Sequence, residues 1–477
     1  MSLAATLLLA IAGCAGYSGI HGEERALDPQ ALAFSPDAAG DAVFAAGDWP
    51  RSDWWSTFGD AKLDALVSQA LTGNPGLRAA EARVRVAHAM AGAARAALLP
   101  TLDLNADAAR QRLSENDIIY GPIAGSWVNE GRATLDFGYE FDFWGKNHHE
   151  LAAALGDARA AEADDAAARL LLASAVTQTY FQLQTDIALA GVARQTLAER
   201  EGLRELNRQR ASRGLDTTIP SRQSAQQVAS SRVDVSAADA AVALSRHQLA
   251  ALAGLGPDAA LDVLPTLQTY EDAVPLPGNV PADLLARRPD VAAQRFRAEA
   301  AAARIGAAKA DFFPNVNLAA FVGVEALTVH GLDLFKSGSR TAGISPAIHL
   351  PLFEGGRLRA DLRGRYGEYD VAIAHYNGTL LVALRQVADQ VVSLRAARQQ
   401  LIDQAEAQAA AADAYRLTLD RYRAGLSNYL DVLINEERLL AERHKQVQLQ
   451  GRNLALTVDM IRALGGGYHT PQTTAGN

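Results

Sequence analysis

The sequence has a single cysteine, Cys14, so no disulfide can form within the chain. It has no stretch of ~18 uninterrupted apolar residues after the N-terminus, which excludes a later transmembrane helix. Proline is missing between Pro122 and Pro220 and again between Pro351 and Pro471, so nothing in those stretches breaks a helix. A cationic excess is missing too: 45 Lys and Arg stand against 54 Asp and Glu, which argues against a nucleic-acid partner. Chemical clusters are scarce. His148-His149-Glu150 is the one pair of adjacent histidines beside an acid, and adjacent residues on a helix do not share a face, so no metal site is expected. Gly465-Gly466-Gly467 lacks the Lys-Ser/Thr that a phosphate loop needs. These absences point away from an enzyme and from any cofactor other than a covalent lipid.

What the sequence does have is a long internal repeat. Pro75, Gly92, Pro100 and Leu104 recur as Pro289, Gly306, Pro314 and Leu318, each 214 positions on. Gly145, Gly214 and Gly254 recur as Gly356, Gly425 and Gly465, each 211 positions on. The change of offset places a deletion of three residues between Pro314 and Gly356, in a loop of the second copy. A repeat this long is a duplicated supersecondary unit. On this repeat the chain is expected to divide into a first repeat (48–257), a linker (258–284), a second repeat (285–467) and a tail (468–477).

At the N-terminus, Leu7-Leu8-Leu9-Ala10-Ile11 leads into Ile11-Ala12-Gly13-Cys14. The run is too short to span a bilayer, and small residues before a cleavage point suit a signal peptidase. It resembles a lipoprotein leader, with residues 1–13 removed, Cys14 carrying the lipid and 14–47 a tether. The residues before the run, Met1-Ser2-Leu3-Ala4-Ala5-Thr6, include no basic one.

Two segments in each copy alternate. Leu102, Leu104, Ala106 and Ala108 oppose Asp103, Asn105 and Asp107; Ala133, Leu135, Phe137, Tyr139, Phe141 and Phe143 oppose Thr134, Asp136, Gly138, Glu140 and Asp142. The second copy has Val316-Leu318-Ala320-Val322 and a weaker partner through Ile344, Pro346 and Ile348, where proline indicates a strand end or an edge. Hairpins are expected at about 101–143 and 315–351. A two-residue period over ~10 residues suits a transmembrane strand, although hairpins of a soluble sandwich alternate too. Four strands cannot close a membrane barrel, whose smallest form has ~8, so a spanning sheet requires several chains: two would supply eight strands, three twelve.

The proline-free stretches, rich in Ala, Leu, Arg, Gln and Glu, predict helix hairpins at 146–254 and 357–465. Each has a long arm (146–213 and 357–424) of about 100 Å and a returning arm of about 60 Å. The long arms stop at Gly-Leu pairs, where glycine can take the left-handed conformation. Helices at 75–99 and 289–313 lead into the strands. A coiled-coil spacer would show the same helical pattern without the hairpins.

Trp54-Trp55, Asn74-Pro75, Tyr139-Glu140-Phe141-Asp142-Phe143-Trp144-Gly145, Arg287-Arg288-Pro289-Asp290-Val291, Phe312-Phe313-Pro314, Pro351-Leu352-Phe353-Glu354-Gly355-Gly356-Arg357 and Arg421-Tyr422-Arg423-Ala424-Gly425-Leu426 occur in order. Together they resemble the TolC and NodT family of outer-membrane efflux factors over nearly the whole chain. The resemblance implies a mainly α fold with a β-barrel part: a homotrimer with a twelve-stranded outer-membrane barrel in lipid and a twelve-helix periplasmic tunnel. It also implies an exit duct for a tripartite pump, joined by a periplasmic adaptor to an inner-membrane RND-type transporter. Alternatives are a duct for type I protein secretion and a lipoprotein scaffold without a pore.

The resemblance makes Gly214, Leu215, Asp216, Gly425, Leu426 and Ser427 the adaptor-docking tips. The family's paired acids after the second turn become Asp431 and Ile434, one acidic ring beside an apolar constriction; Asp431 could equally complement a helix N-terminus. Arg421 and Tyr422 match positions near the family's gate contacts. Asp103, Asp107, Asp136, Glu140 and Asp142 are expected in the barrel lumen, as a cation-favouring lining or as solvated faces.

Overall fold

The computed structural model describes residues 16–32, 44–46, 48–116, 121, 123–259, 261, 263, 267, 274–276, 287–331 and 333–470. The leader, Cys14, most of the linker and the end of the tail lie outside them. The described chain forms two compact units. One holds residues up to Ala26, Arg83–Ala161 and Gln294–Tyr376; the other holds Leu27–Ala82, Glu162–Ala293 and Asn377 onward.

The first unit contains a four-stranded antiparallel sheet of β2 (Thr101–Arg112), β3 (Trp127–Phe141), β5 (Asn315–Thr328) and β6 (Arg340–His349), in that order. Each repeat contributes one hairpin, and β3 joins β5 at the centre. Thr101 pairs with Gly138, and Asn315 with His349, which is the same pair carried through displacements of 214 and 211. The deletion therefore leaves the hairpin register intact and falls towards its turn. Pro346 lies in β6, which pairs within the chain with β5 alone, opposite Leu318.

The register carries alternation across all four strands. Leu104, Leu135, Val322 and Ala342 form one row and Leu102, Phe137, Ala320 and Ile344 the next, on one apolar face. Leu102, Leu104, Val322 and Ile344 on that face are exposed. On the opposite face Asp103, Asp136 and Phe321 line up, as do Asn105, Thr134 and Thr341 across Gly323. Gly323 has no side chain because a Cβ there would run into the Ala133 carbonyl oxygen.

The helices confirm the duplication by length. α1 (Ala61–Gly73) precedes α2 (Pro75–Ala96), of 22 residues, and α5 (Pro289–Ala310) also has 22. α3 (Lys146–Ser212) and α6 (Arg357–Arg423) each have 67, and α4 (Thr218–Leu252) and α7 (Tyr429–Ala463) each have 35. At 1.5 Å per residue the long helices are about 100 Å, and the returning ones about 52 Å. The returning arms start four residues past each glycine, which shortens them against expectation. α3 and α6 each begin in the first unit and end in the second.

The second unit is centred on a cluster built from Trp54, Phe58, Leu63, Val67, Val176, Tyr180 and Phe181. Asp60 caps α1 by accepting from the Lys62 and Leu63 amides, and its other oxygen accepts from the Tyr180 hydroxyl. A short parallel pair, β1 (Phe44–Ala46) with β4 (Val274–Leu276), completes the unit.

Candidate functional site

The two helical turns lie in the second unit and share one backbone design. Gly214 and Gly425 have φ of 71° and 77°. The Leu215 amide donates to the Arg210 carbonyl at 2.9 Å, and the Leu426 amide to the Arg421 carbonyl at 2.8 Å. This left-handed stop satisfies carbonyls that the helix end would leave unpaired, and only glycine adopts it without strain. Leu215 and Leu426 then stand exposed, followed by exposed Ile219 and Leu430.

Their side-chain support differs. Tyr422, near the end of α6, is fully buried. Its hydroxyl donates to Asn207 Oδ1 at 2.7 Å and lies 3.2 Å from Asp216 Oδ2. The Arg210 guanidinium sits 4.8 Å from the Tyr422 ring centre and 3.6 Å from Asp216 Oδ2. Burial, and then the Asp216 charge, push the Tyr422 hydroxyl up to about 12, so it remains a donor at physiological pH. Tyr422 thus ties the first turn to the second long helix. Asp216, expected only as part of a docking tip, is a member of this network.

The capping bonds of the second turn lie within its own segment, while Tyr429 packs beneath it against Leu203 and Tyr422. Asn428 Oδ1 caps α7 by accepting from the Asp431 amide at 2.9 Å, and Ser427 Oγ donates to Asp431 Oδ2 at 2.7 Å. Asp431 therefore sits in the first helical turn, where a carboxylate complements the exposed N–H groups. Ile434 is exposed one turn on. Arg421 donates to the Leu426 carbonyl at 3.3 Å, closing its own turn.

Further along the helices, Arg200 and Glu436 form a buried ion pair at 3.2 Å, and Arg200 Nη1 donates to Ser231 Oγ at 3.0 Å. The trio connects α3, α4 and α7. Burial raises the Glu436 carboxyl above its ordinary range, against the pull of Arg200. Sequence reading missed Asn207, Arg210, Arg200 and Glu436. The repeat held one clue: Ala211 and Ala225 occupy the positions of Tyr422 and Glu436, 211 residues earlier.

Of the five carboxylates expected together, four share the polar sheet face. Asp103 pairs with Asp136, Asp107 with Arg132, and Glu140 accepts from Asn315 Nδ2 at 2.6 Å. Asp136 accepts from Asn105 at 2.7 Å and Thr134 at 3.0 Å. Asp142 is a correction. It lies past the end of β3, and its carboxylate accepts from the Asn147 and His148 amides at 3.2 and 2.9 Å and meets the His148 ring at 2.5 Å. It is a helix cap, held below the usual carboxylate range by these bonds although desolvation opposes them. The paired histidines separate: His148 faces Asp142, while the His149 ring fills the space beside Gly306.

A four-stranded sheet with one apolar and one polar face, continuing into two helix hairpins with 67-residue arms, is the protomer plan of TolC-like outer-membrane channels. The pattern of the family described as "Outer membrane efflux protein" matches residues 66–255 and 280–466, and the chain belongs to that family. It is 38% identical over 363 residues to the fusaric acid resistance protein FusA of Burkholderia cepacia, covering 74% of this chain and 67% of that protein. It is 30% identical to the multidrug resistance outer membrane protein MdtP of Escherichia coli K12, over 96% of this chain and 94% of MdtP. Among solved structures, VceC of Vibrio cholerae superposes with a TM-score of 0.79 at 38% identity, covering 88% of this chain and 100% of VceC. The outer-membrane channel OprN superposes with a TM-score of 0.85 at 28% identity, covering 94% and 99%. The chain is an outer-membrane protein with this channel fold.

Proposed function

We propose that the chain is the exit duct of a tripartite efflux pump, conducting small toxic compounds passively from a periplasmic adaptor and an inner-membrane transporter to the exterior. The observation that carries the reading is the sheet itself. Its rows are apolar on one face and polar on the other, and β2 and β6 each pair on one side alone. An open edge in hydrocarbon leaves unpaired N–H and C=O groups, each costing several kcal/mol, on the order of magnitude of a lost hydrogen bond in an apolar medium. Three copies close a twelve-stranded barrel with a wet lumen, and β6 of one copy pairs with β2 of the next.

The exposed Leu215 and Leu426 are then the adaptor contacts, and a lipid on Cys14 anchors the chain. Relatives named for fusaric acid and multidrug resistance support small-molecule cargo. Planar-bilayer recording of the purified chain, with native mass measurement, tests the reading. Trimers with stable conductance are expected; monomers without conductance would leave a scaffold.

A further inference from the structure

A cavity of about 400 Å³ lies at the end of the polar sheet face, wholly within the first unit. It is bounded by the ends of β3, β5 and β6 and by the adjoining turns of α3, α5 and α6. Its volume falls within the range of sites for drug-sized ligands, ~300–1,000 Å³. We infer that it is a resting site for aromatic organic cations in transit, recognised by the Glu140 carboxylate and the stacked rings of Trp144 and Phe313. The inference rests on the duct reading for its place in transport.

Charge and shape select that ligand class. Four carboxylates line the cavity, against Lys146, Arg357 and one histidine, so the lining is acidic. Asp311 is matched by Lys146 at 2.8 Å, Glu354 by Arg357, and Asp142 by the first turn of α3 and His148. Glu140 accepts its 2.6 Å bond from the neutral amide of Asn315, which orients the carboxylate, while the Lys146 charge that pairs with Asp311 acts on it from farther away. Beside it Trp144 and Phe313 stack with centres 4.7 Å apart and planes 19° from parallel. The Trp144 indole N–H donates to the Pro314 carbonyl at 2.7 Å, which fixes the ring while the residue remains half exposed. A fixed indole face next to a carboxylate attracts a cation bearing a ring. The row Glu140–Asn317 lies on the same face as Asp136 and Asp103, so the site lies on the wet side of the sheet.

The test is calorimetric titration of the detergent-solubilised full chain with ethidium, tetramethylammonium and naphthalenesulfonate. Ethidium is expected to bind, and the other two about tenfold or more weakly, since each lacks one of the two recognised features. Glu140→Gln, which keeps the Asn315 bond, and Trp144→Leu are each expected to weaken ethidium about three- to tenfold. Trp144→Phe, which keeps a ring in the stack, is expected to retain most of the affinity. Equal binding of the three probes, or ethidium binding unchanged in both Glu140→Gln and Trp144→Leu, overturns the site. Because the titration needs no pore, a wild-type chain without bilayer conductance would overturn the duct reading while leaving this result to stand or fall alone.

Discussion

The two helical turns have the same backbone and opposite kinds of support. Each stops at glycine in the left-handed region and displays a leucine, yet the first turn's side-chain bonds reach the other repeat while the second turn's caps stay within its own segment. Position by position, 211 residues apart, Ala211 answers to Tyr422, Asp216 to Ser427, Thr217 to Asn428 and Pro220 to Asp431. Thr217 makes no side-chain cap, whereas Asn428 does. Duplication preserved what the backbone needs and let the side chains diverge. The first turn is consequently a polar cross-hairpin contact, whereas the caps of the second are local and its link to the other repeat is the packing of Tyr429, with Tyr422, against Leu203.

The largest expected effect lies beneath both turns. Arg200→Ala leaves the Glu436 carboxylate buried without its cation, and should destabilise the helical hairpins by about 3–5 kcal/mol in chemical denaturation. A loss under 1 kcal/mol would mean that the three helices are not joined there. Next, Tyr422→Phe removes the buried hydroxyl that donates to Asn207 Oδ1, at about 1–3 kcal/mol, while Asp216 keeps the Thr217 amide and Arg210. It should also raise single-channel conductance, because the first turn loses its tie to α6. Asn428→Ala should cost about 1 kcal/mol, confined to the second turn; an equal loss in Thr217→Ala would erase the difference between the caps.

Smaller still is a pH effect. The folded carboxyl of Glu436 is raised above the unfolded value of 4.5, so the folded state binds the extra proton. Its contribution is full below that value and is lost as pH rises through the folded one. Glu436→Gln should flatten this part of the stability profile, and an unchanged profile would assign the slope elsewhere. Last, Asp431→Ala should barely change stability but raise conductance at low salt, where an acidic ring is least screened. Unchanged conductance would remove Asp431 from the gate and leave it a helix cap.

Much of this architecture was legible because it repeats. Glycine spacing located both turns, the proline-free stretches located α3 and α6 to within a residue, and alternation located the strands. The β3–β5 junction was not legible, since alternation shows which face a residue takes and not which strand lies beside it. Asp142 misled because it stays in phase with Glu140, but the strand ends at Phe141 and the unpaired amides of α3 claim its carboxylate. The Tyr422 network joins residues 215 and 206 positions apart, a separation on which no local period bears.

Hydrogen exchange resolved to residues 213–219 and 424–430, in the wild type and in Tyr422→Phe, tests the contrast between the turns most directly. Exchange is expected to accelerate across the first segment and stay unchanged across the second. Equal acceleration in both, or acceleration in the second alone, would contradict it.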